Sequence, residues 1–348
     1  MPPSSQKCQP EPSMRTRLLD LAQRLPLFLS QDNQTYVACP TAIPVYSEDF
    51  FVWLFCLAEK RLGYNASPSE IGRVARMLDA QACGAKTREF VHTRIAKTGT
   101  KSYQLDLGTD DHQVVNITGQ HWQQSQHFDV RFERLEDYKS ITTPIRTANT
   151  LAACMEAQFS IATDTAEKLA LWVAQALLPD QHPPILVITG KAREAAVEKL
   201  RNLIDPVNEP IIETPTNFTA LPRMALENKV LAFSVNDQFP EKIRKAINEL
   251  HQGKRLQLKH CNRNRIKLRS TAHRTVIIAT EQAQQISPSQ FNIEINEAID
   301  FEFGKIMGAL LNLMVQIIGQ PIVRQAVMTM PEPGERPAME ELPGSDSS

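Results

Sequence analysis

Two stretches of this chain concentrate residue types suited to meeting phosphate. From residue 251 to residue 280 there is no Asp or Glu, while Lys254, Arg255, Lys259, Arg263, Arg265, Lys267, Arg269 and Arg274 are all basic. Positive charge gathered this way in a chain of formal net charge -1 is the footprint of a phosphate-backbone contact. The alternative is a solvated basic loop paired with acidic neighbours. No aromatic residue interrupts the stretch, which favours contact with the backbone over stacking on bases. The second stretch is smaller: Lys191 follows Gly190 at the end of an aliphatic run, where an amine can face a phosphate or simply be solvated. Elsewhere the chemistry is sparse. Cys8, Cys39, Cys56, Cys83, Cys154 and Cys261 form no C-x-x-C pair, so reduced thiols and no metal are expected. Trp122, His121 and His127 have no carboxylate or cysteine partner at useful spacing, and Trp122 is expected in the core.

These residues need elements to position them. The basic stretch alternates Leu256, Leu258, Ile266 and Leu268 with polar residues, so a hairpin turning near residues 261–264 is expected. The aliphatic run at residues 185–188 ends in Thr189-Gly190 and has the continuous apolar character of a strand buried on both faces of a parallel sheet. A helix over residues 192–204 returns the chain, and residues 230–233 and 275–279 offer two more such strands. Between them Pro240 opens a helix closed by Gly253. Strand alternating with helix implies an α/β class with a parallel core.

Upstream, residues 1–45 are expected as an N-terminal tail and linker, with one short helix candidate over residues 14–29. Residues 46–150 are expected as a separate small α+β domain. It opens with an apolar run, continues in a helix whose N-cap, proline and reciprocating glutamate are Ser67-Pro68-Ser69-Glu70, and ends in an antiparallel meander. Residues 151–320 form the α/β domain, entered by a second helix with a capping-box pattern at residues 164–167, and residues 321–348 are expected as a disordered acidic tail. No stretch approaches the ~18 apolar residues a membrane span needs, so a cytoplasmic protein without membrane partners is expected.

At residues 185–206, ILVITGKAREAAVEKLRNLIDP, the chain resembles the strand, P-loop and first helix of ATP-binding proteins from phages and integrative elements, which belong with the superfamily 3 primase-helicases. Other segments resemble that group in the same order, among them SYQLDLG, VVNITGQHW, ENKVLAFSVND, HRTVIIAT and FGKIMGALLNLM. The resemblance implies a P-loop NTPase-like core, with Gly190, Lys191, Arg193, Ser234 and Asp237 at the nucleotide site and the basic hairpin gripping single-stranded DNA.

The departures fall on the chemistry. A Walker A loop, G-x-x-x-x-G-K-[ST], supplies backbone N–H groups for phosphates, a lysine for the terminal phosphate and a hydroxyl for Mg²⁺. Anchored on Gly190, it would have Ala195, Ala196 and Val197 where Gly, Lys and Ser/Thr belong; anchored on residues 203–206, it would have Ala192, Arg193 and Glu194. Where the family places a metal-holding Asp after the second strand, Ser234 stands, with Asp237 three residues on. The sensor position falls at Ala279 or Thr280, and no arginine follows within residues 281–292. The expectation is a catalytically degenerate relative with no catalytic residue, metal or cofactor, partnered by single-stranded DNA, by itself or by a homologous ATPase. The alternatives are an atypical ATPase using ATP and Mg²⁺ and a regulatory scaffold.

Overall fold

The computed structural model describes residues 13–31, 33–39, 41–84, 88–134, 137–213, 221, 224–225, 228–235, 240–253, 258–262, 265–269, 274–282, 285–300 and 302–320. The expected tail 321–348 lies outside them.

The first part of the chain is not a linker. α1 (Met14–Gln23) is followed by β1 (Leu27–Ser30), β2 (Thr35–Cys39) and β3 (Thr41–Pro44), then by α2 (Glu48–Leu62), α3 (Pro68–Cys83) and β4 (Arg88–Glu89). β1 to β3 are antiparallel, and β4 pairs in parallel with β1. The helix expected to reach residue 29 stops at Gln23 because Pro26 can neither donate to a helical ladder nor let the preceding residue sit easily in helical space. Leu18, Ala22 and Val37 then bury against Phe50, Leu54, Ile71, Val74 and Leu78. α3 has the expected boundaries at its start, and its capping box forms: the Ser67 hydroxyl accepts from the Glu70 N–H while the Glu70 carboxylate accepts from the Ser67 N–H.

β5 (Val91–His92) pairs in parallel with β10 (Arg131–Phe132), and β6 (Ile95–Gly99), β7 (Ser102–Asp106), β8 (Val114–Thr118) and β9 (Trp122–Ser125) form the expected antiparallel meander. The meander does not close on α2 and α3. Its apolar face, including Leu105, Val115, Ile117 and Trp122, belongs to one continuous core with α4 (Leu151–Phe159), α5 (Thr163–Leu177) and the last helix, α8 (Phe303–Gly319). α8 is apolar nearly all round and must be covered on more than one side. At Gly308 a Cβ would lie 1.9 Å from the Ile145 carbonyl oxygen, so only glycine lets the segment leaving the meander cross the helix there. Trp122 is in the core as expected, and its indole N–H donates to Asn312 Oδ1 at 2.9 Å.

The α/β core comprises β11 (Ile185–Thr189), α6 (Arg193–Ile204), β12 (Ile212–Glu213), β13 (Val230–Val235), α7 (Glu241–His251), β14 (Leu258–Asn262), β15 (Arg265–Arg269), β16 (Thr275–Thr280) and β17 (Gln290–Glu294). Five strands are parallel, in the order β12-β13-β16-β11-β17. The two-residue period sorts their side chains between the faces. Leu186, Ile188, Val230, Ala232, Ile277 and Ala279 pack with α5, α6 and α8; Ile185, Val187, Leu231, Phe233, Val276 and Ile278 pack with α7. Such burial on both faces explains the unbroken aliphatic runs. α5 differs at its start: Ala162 is the N-cap, no side chain caps it, and Asp164 pairs with Lys168 at 2.7 Å rather than closing a capping box. Among the described residues no helix is long and apolar enough to cross a membrane.

Candidate functional site

β11 lies between β16 and β17, so the chain leaves it toward one side of the sheet while the last strand joins on the other. The crevice beyond the carboxyl ends of strands at such a switch point is where open α/β sheets bind ligands. Here it is a cleft of about 470 Å³ lined by Thr189, Gly190, Lys191, Arg193, Glu281, Glu294 and Asn296.

Only Gly190, Lys191 and Ala192 separate β11 from α6, and the turn they make is closed by its own contacts. Gly190 has φ 98°, and a Cβ there would lie 2.3 Å from the Ile295 carbonyl oxygen. The Lys191 N–H donates to Asn296 Oδ1 at 3.2 Å, and the Ala192 N–H donates to that same Ile295 carbonyl at 3.1 Å. Arg193 bends back over the turn: Nη1 donates to Gly190 O and Nη2 to Glu281 Oε1, each at 3.3 Å, while its buried Nε has no partner. The cleft therefore holds the cations Lys191 and Arg193 facing the carboxylates Glu281 and Glu294, with Asn296 donating to Glu294 Oε1 at 3.0 Å.

Ser234 stands at the same edge, beside Ala279 in the sheet register, and its hydroxyl donates to Glu194 Oε1 at 2.7 Å. Thr280, one of the two positions where the resemblance places a sensor, donates to the Gln282 carbonyl at 3.1 Å. Of the five nucleotide-site candidates, the structure thus gathers Gly190, Lys191 and Arg193, places Ser234 nearby against a carboxylate, and leaves Asp237 outside the described residues. Glu194, Glu281, Glu294 and Asn296 carried no signal as site residues in the sequence. Two of them come from β17 and its exit, a strand detectable only as the short alternation Gln-Phe-Asn-Ile-Glu.

The basic stretch does form a hairpin. β14 and β15 are antiparallel, pairing Leu258 with Arg269, His260 with Lys267 and Asn262 with Arg265, so the strands end and resume around residues 263–264. Lys259, Arg265, Lys267 and Arg269 are strand positions; Lys254, Arg255 and Arg263 lie outside the described residues. Because α7 carries the chain back from the carboxyl ends of the strands and β16 begins at their amino ends, the hairpin is inserted at the edge opposite the cleft. Arg274 at its base is fixed to the fold, with Nε donating to Ala225 O at 2.6 Å.

That amino edge holds a buried network absent from the sequence reading. Arg94 of the meander reaches Asp205 at 2.9 Å, donates to Pro206 O and lies 3.5 Å over the Tyr138 ring. The half-buried Lys229 points its amine inward to Leu177 O at 2.8 Å, and burial lowers its pKa to about 7. Burial likewise lowers Arg201 to about 10, while its guanidinium donates to Pro210 O and Asn228 Oδ1. Among the described residues no cluster of His, Cys, Asp and Glu is arranged to hold a metal, and Cys39, Cys56, Cys83 and Cys154 are free thiols.

No family model matches the chain, and no characterised protein matches it in sequence. Among solved structures it is similar to an apo form of the NrS-1 C-terminal region, with a TM-score of 0.44 and 8% identity, covering 90% of this chain and 69% of that one. A second structure of that region gives a TM-score of 0.40 at 8% identity, covering 88% and 67%.

Proposed function

We propose that this protein is a non-hydrolysing relative of the mobile-element replication ATPases, keeping their parallel α/β core and binding single-stranded DNA through its basic hairpin. The closed turn after Gly190 is the observation that carries the reading. The N–H groups that a phosphate cradle offers are here donating to Asn296 and Ile295. Freeing them would cost roughly 1 kcal/mol per hydrogen bond. A polyphosphate would then face Glu281 and Glu294, and a like charge ~4 Å away opposes it by about 4 kcal/mol at an effective dielectric near 20. Ser234, where the resemblance places a metal-holding Asp, is a neutral hydroxyl that donates to Glu194. On the other edge the hairpin strands place Lys259, Arg265, Lys267 and Arg269 within a stretch that has no acidic residue.

The roominess of the cleft and the amine of Lys191 favour a second reading, an ATPase of unusual geometry. Phosphate release by the full chain, with and without a single-stranded oligonucleotide, separates the two. The first reading expects no stimulated hydrolysis above background. Turnover of about one per second, in the ordinary enzyme range, abolished by Lys191→Ala, would establish the second.

A further inference from the structure

A second group of basic residues lies on the helices near the start of the chain. α2 and α3 are joined by residues 63–67, and each end of that connection is fixed. Gly63 takes the left-handed conformation that ends α2, its φ being 61°, and its N–H donates to Glu59 O. Ala66 is buried, Ser67 caps α3, and the Tyr64 hydroxyl donates to Glu70 Oε1 at 2.7 Å, tying the turn to the second helix. Phe50, Leu54 and Ala58 of α2 pack with Ile71, Val74, Ala75 and Leu78 of α3. With that row turned inward, the helical period leaves Ser69, Gly72, Arg73 and Arg76 along the outer side of α3, and Ser69, Arg73 and Arg76 are exposed.

Two independent features of this outer row point to a partner. Arg73 and Arg76, together with the exposed Lys60 and Arg61 in the last turn of α2, pair with no described residue. Glu59 is an exposed acid beside them, whereas Glu70 is engaged by Ser67 and Tyr64. Asp79 is buried, accepting from the Thr35 and Tyr46 hydroxyls. The second feature is Gly72. A glycine inside a helix is less stable than alanine, and a Cβ at Gly72 would meet nothing within 4 Å. Among the described residues nothing requires that bare position, and it leaves room for a surface approaching α3 from outside.

We propose that α2, the turn and α3 form a helix-turn-helix that lays α3 in the major groove of duplex DNA. Ser69, Arg73 and Arg76 face base edges, and Lys60 and Arg61 face the phosphates. The connection is five residues long and begins with a glycine, one residue more than the three or four usual in that motif, and residues toward the N-terminus of its second helix read bases. Paired arginines suit guanine edges, which present two acceptors in the major groove. The site uses α2 and α3 alone and stands or falls separately from the hairpin.

The test is fluorescence anisotropy of the full chain with a 20-base-pair duplex and with one of its strands, at a fixed low salt concentration. Reversing Arg73 and Arg76 together to Glu should weaken duplex binding by tenfold or more and leave single-strand binding within twofold. Gly72→Leu should weaken duplex binding similarly without altering charge, while Gly72→Ala should change it little. Reversing Arg265 and Lys267 to Glu should have the opposite selectivity, weakening the single strand most. Protection of guanine N7 from methylation in the bound duplex places the contact in the major groove. The proposal is overturned by absence of duplex binding in the wild-type chain, by unchanged duplex affinity in both the double reversal and Gly72→Leu, or by guanine N7 remaining unprotected.

Discussion

At the carboxyl edge of the five-stranded sheet, charges and donors meet in pairs: Arg193 with Glu281, Ser234 with Glu194, and the Lys191 and Ala192 N–H groups with Asn296 and Ile295. At the amino edge, Arg94, Arg201 and Lys229 gather about the buried carboxylate of Asp205, with Arg274 beside Lys229, and the chain there runs into a hairpin richer still in cations. One sheet thus carries a self-satisfied edge where its fold class normally takes a ligand and a positive edge where it need not. Hydrogen bonds already made must be broken before the first edge can bind phosphate, whereas the second runs into a stretch, residues 251–280, with eight Lys and Arg and no acidic residue. The strands that build the crevice are regular and parallel, and the residues at their ends pair with each other.

The largest expected effect breaks the amino edge. Reversing Arg265, Lys267 and Arg269 to Glu should lower affinity for single-stranded DNA by on the order of 10²-fold or more, and the wild-type logarithmic salt slope should be about -3 for four or five engaged phosphates. Salt-insensitive binding, measured by anisotropy across a salt series, would show the hairpin to be a solvated face.

Next comes the closed turn itself. Gly190→Ala forces a side chain to φ 98° and into the Ile295 carbonyl, so it should destabilise the fold by on the order of 3 kcal/mol. Gly63→Ala, where φ is 61° and nothing lies within 4 Å, should cost about 1 kcal/mol. Urea midpoints of the two variants compare them directly; equal losses would mean that the Ile295 contact is not tight.

The pH dependence sharpens the amino edge. Burial holds the Lys229 pKa in the fold at about 7, below its ordinary value of 10.5. Between those values the unfolded chain binds the extra proton, so stability should rise with pH from about 7 toward 10, with a limiting slope near 1.4 kcal/mol per pH unit. Below pH 7 the amine is protonated in both states and the contribution is flat. Lys229→Met should remove the rise, which melting temperatures at pH 6 and pH 9 can check. The smallest effect belongs to Ser234→Ala, which removes a partly exposed hydrogen bond to Glu194 and should cost less than about 1 kcal/mol in a urea titration.

Much of the core was legible because its signals are local. The aliphatic runs at β11, β13 and β16, the Ser67-Pro68-Ser69-Glu70 box and the breaker Gly253 each act over a few residues. β1 to β3 were not legible, since each is four or five residues long and has meaning only once α1, α2 and α3 cover it. The meander's allegiance was hidden for a similar reason: its cover is α8, nearly two hundred residues downstream of β9. At the cleft, the departure from a Walker A pattern could be read at positions 190–197, but the closure could not. Lys191 and Asn296 are 105 residues apart, Arg193 and Glu281 88 apart, and nothing in either segment alone marks the pairing.

The most direct test of the account is a calorimetric titration of the full chain with Mg·ATP. With the turn after Gly190 closed and Glu281 and Glu294 facing the cleft, the account predicts no saturable heat at millimolar nucleotide and the same null result for Lys191→Ala. Saturable micromolar binding by the wild-type chain that Lys191→Ala removes would mean that the turn opens to take phosphate, and would contradict it.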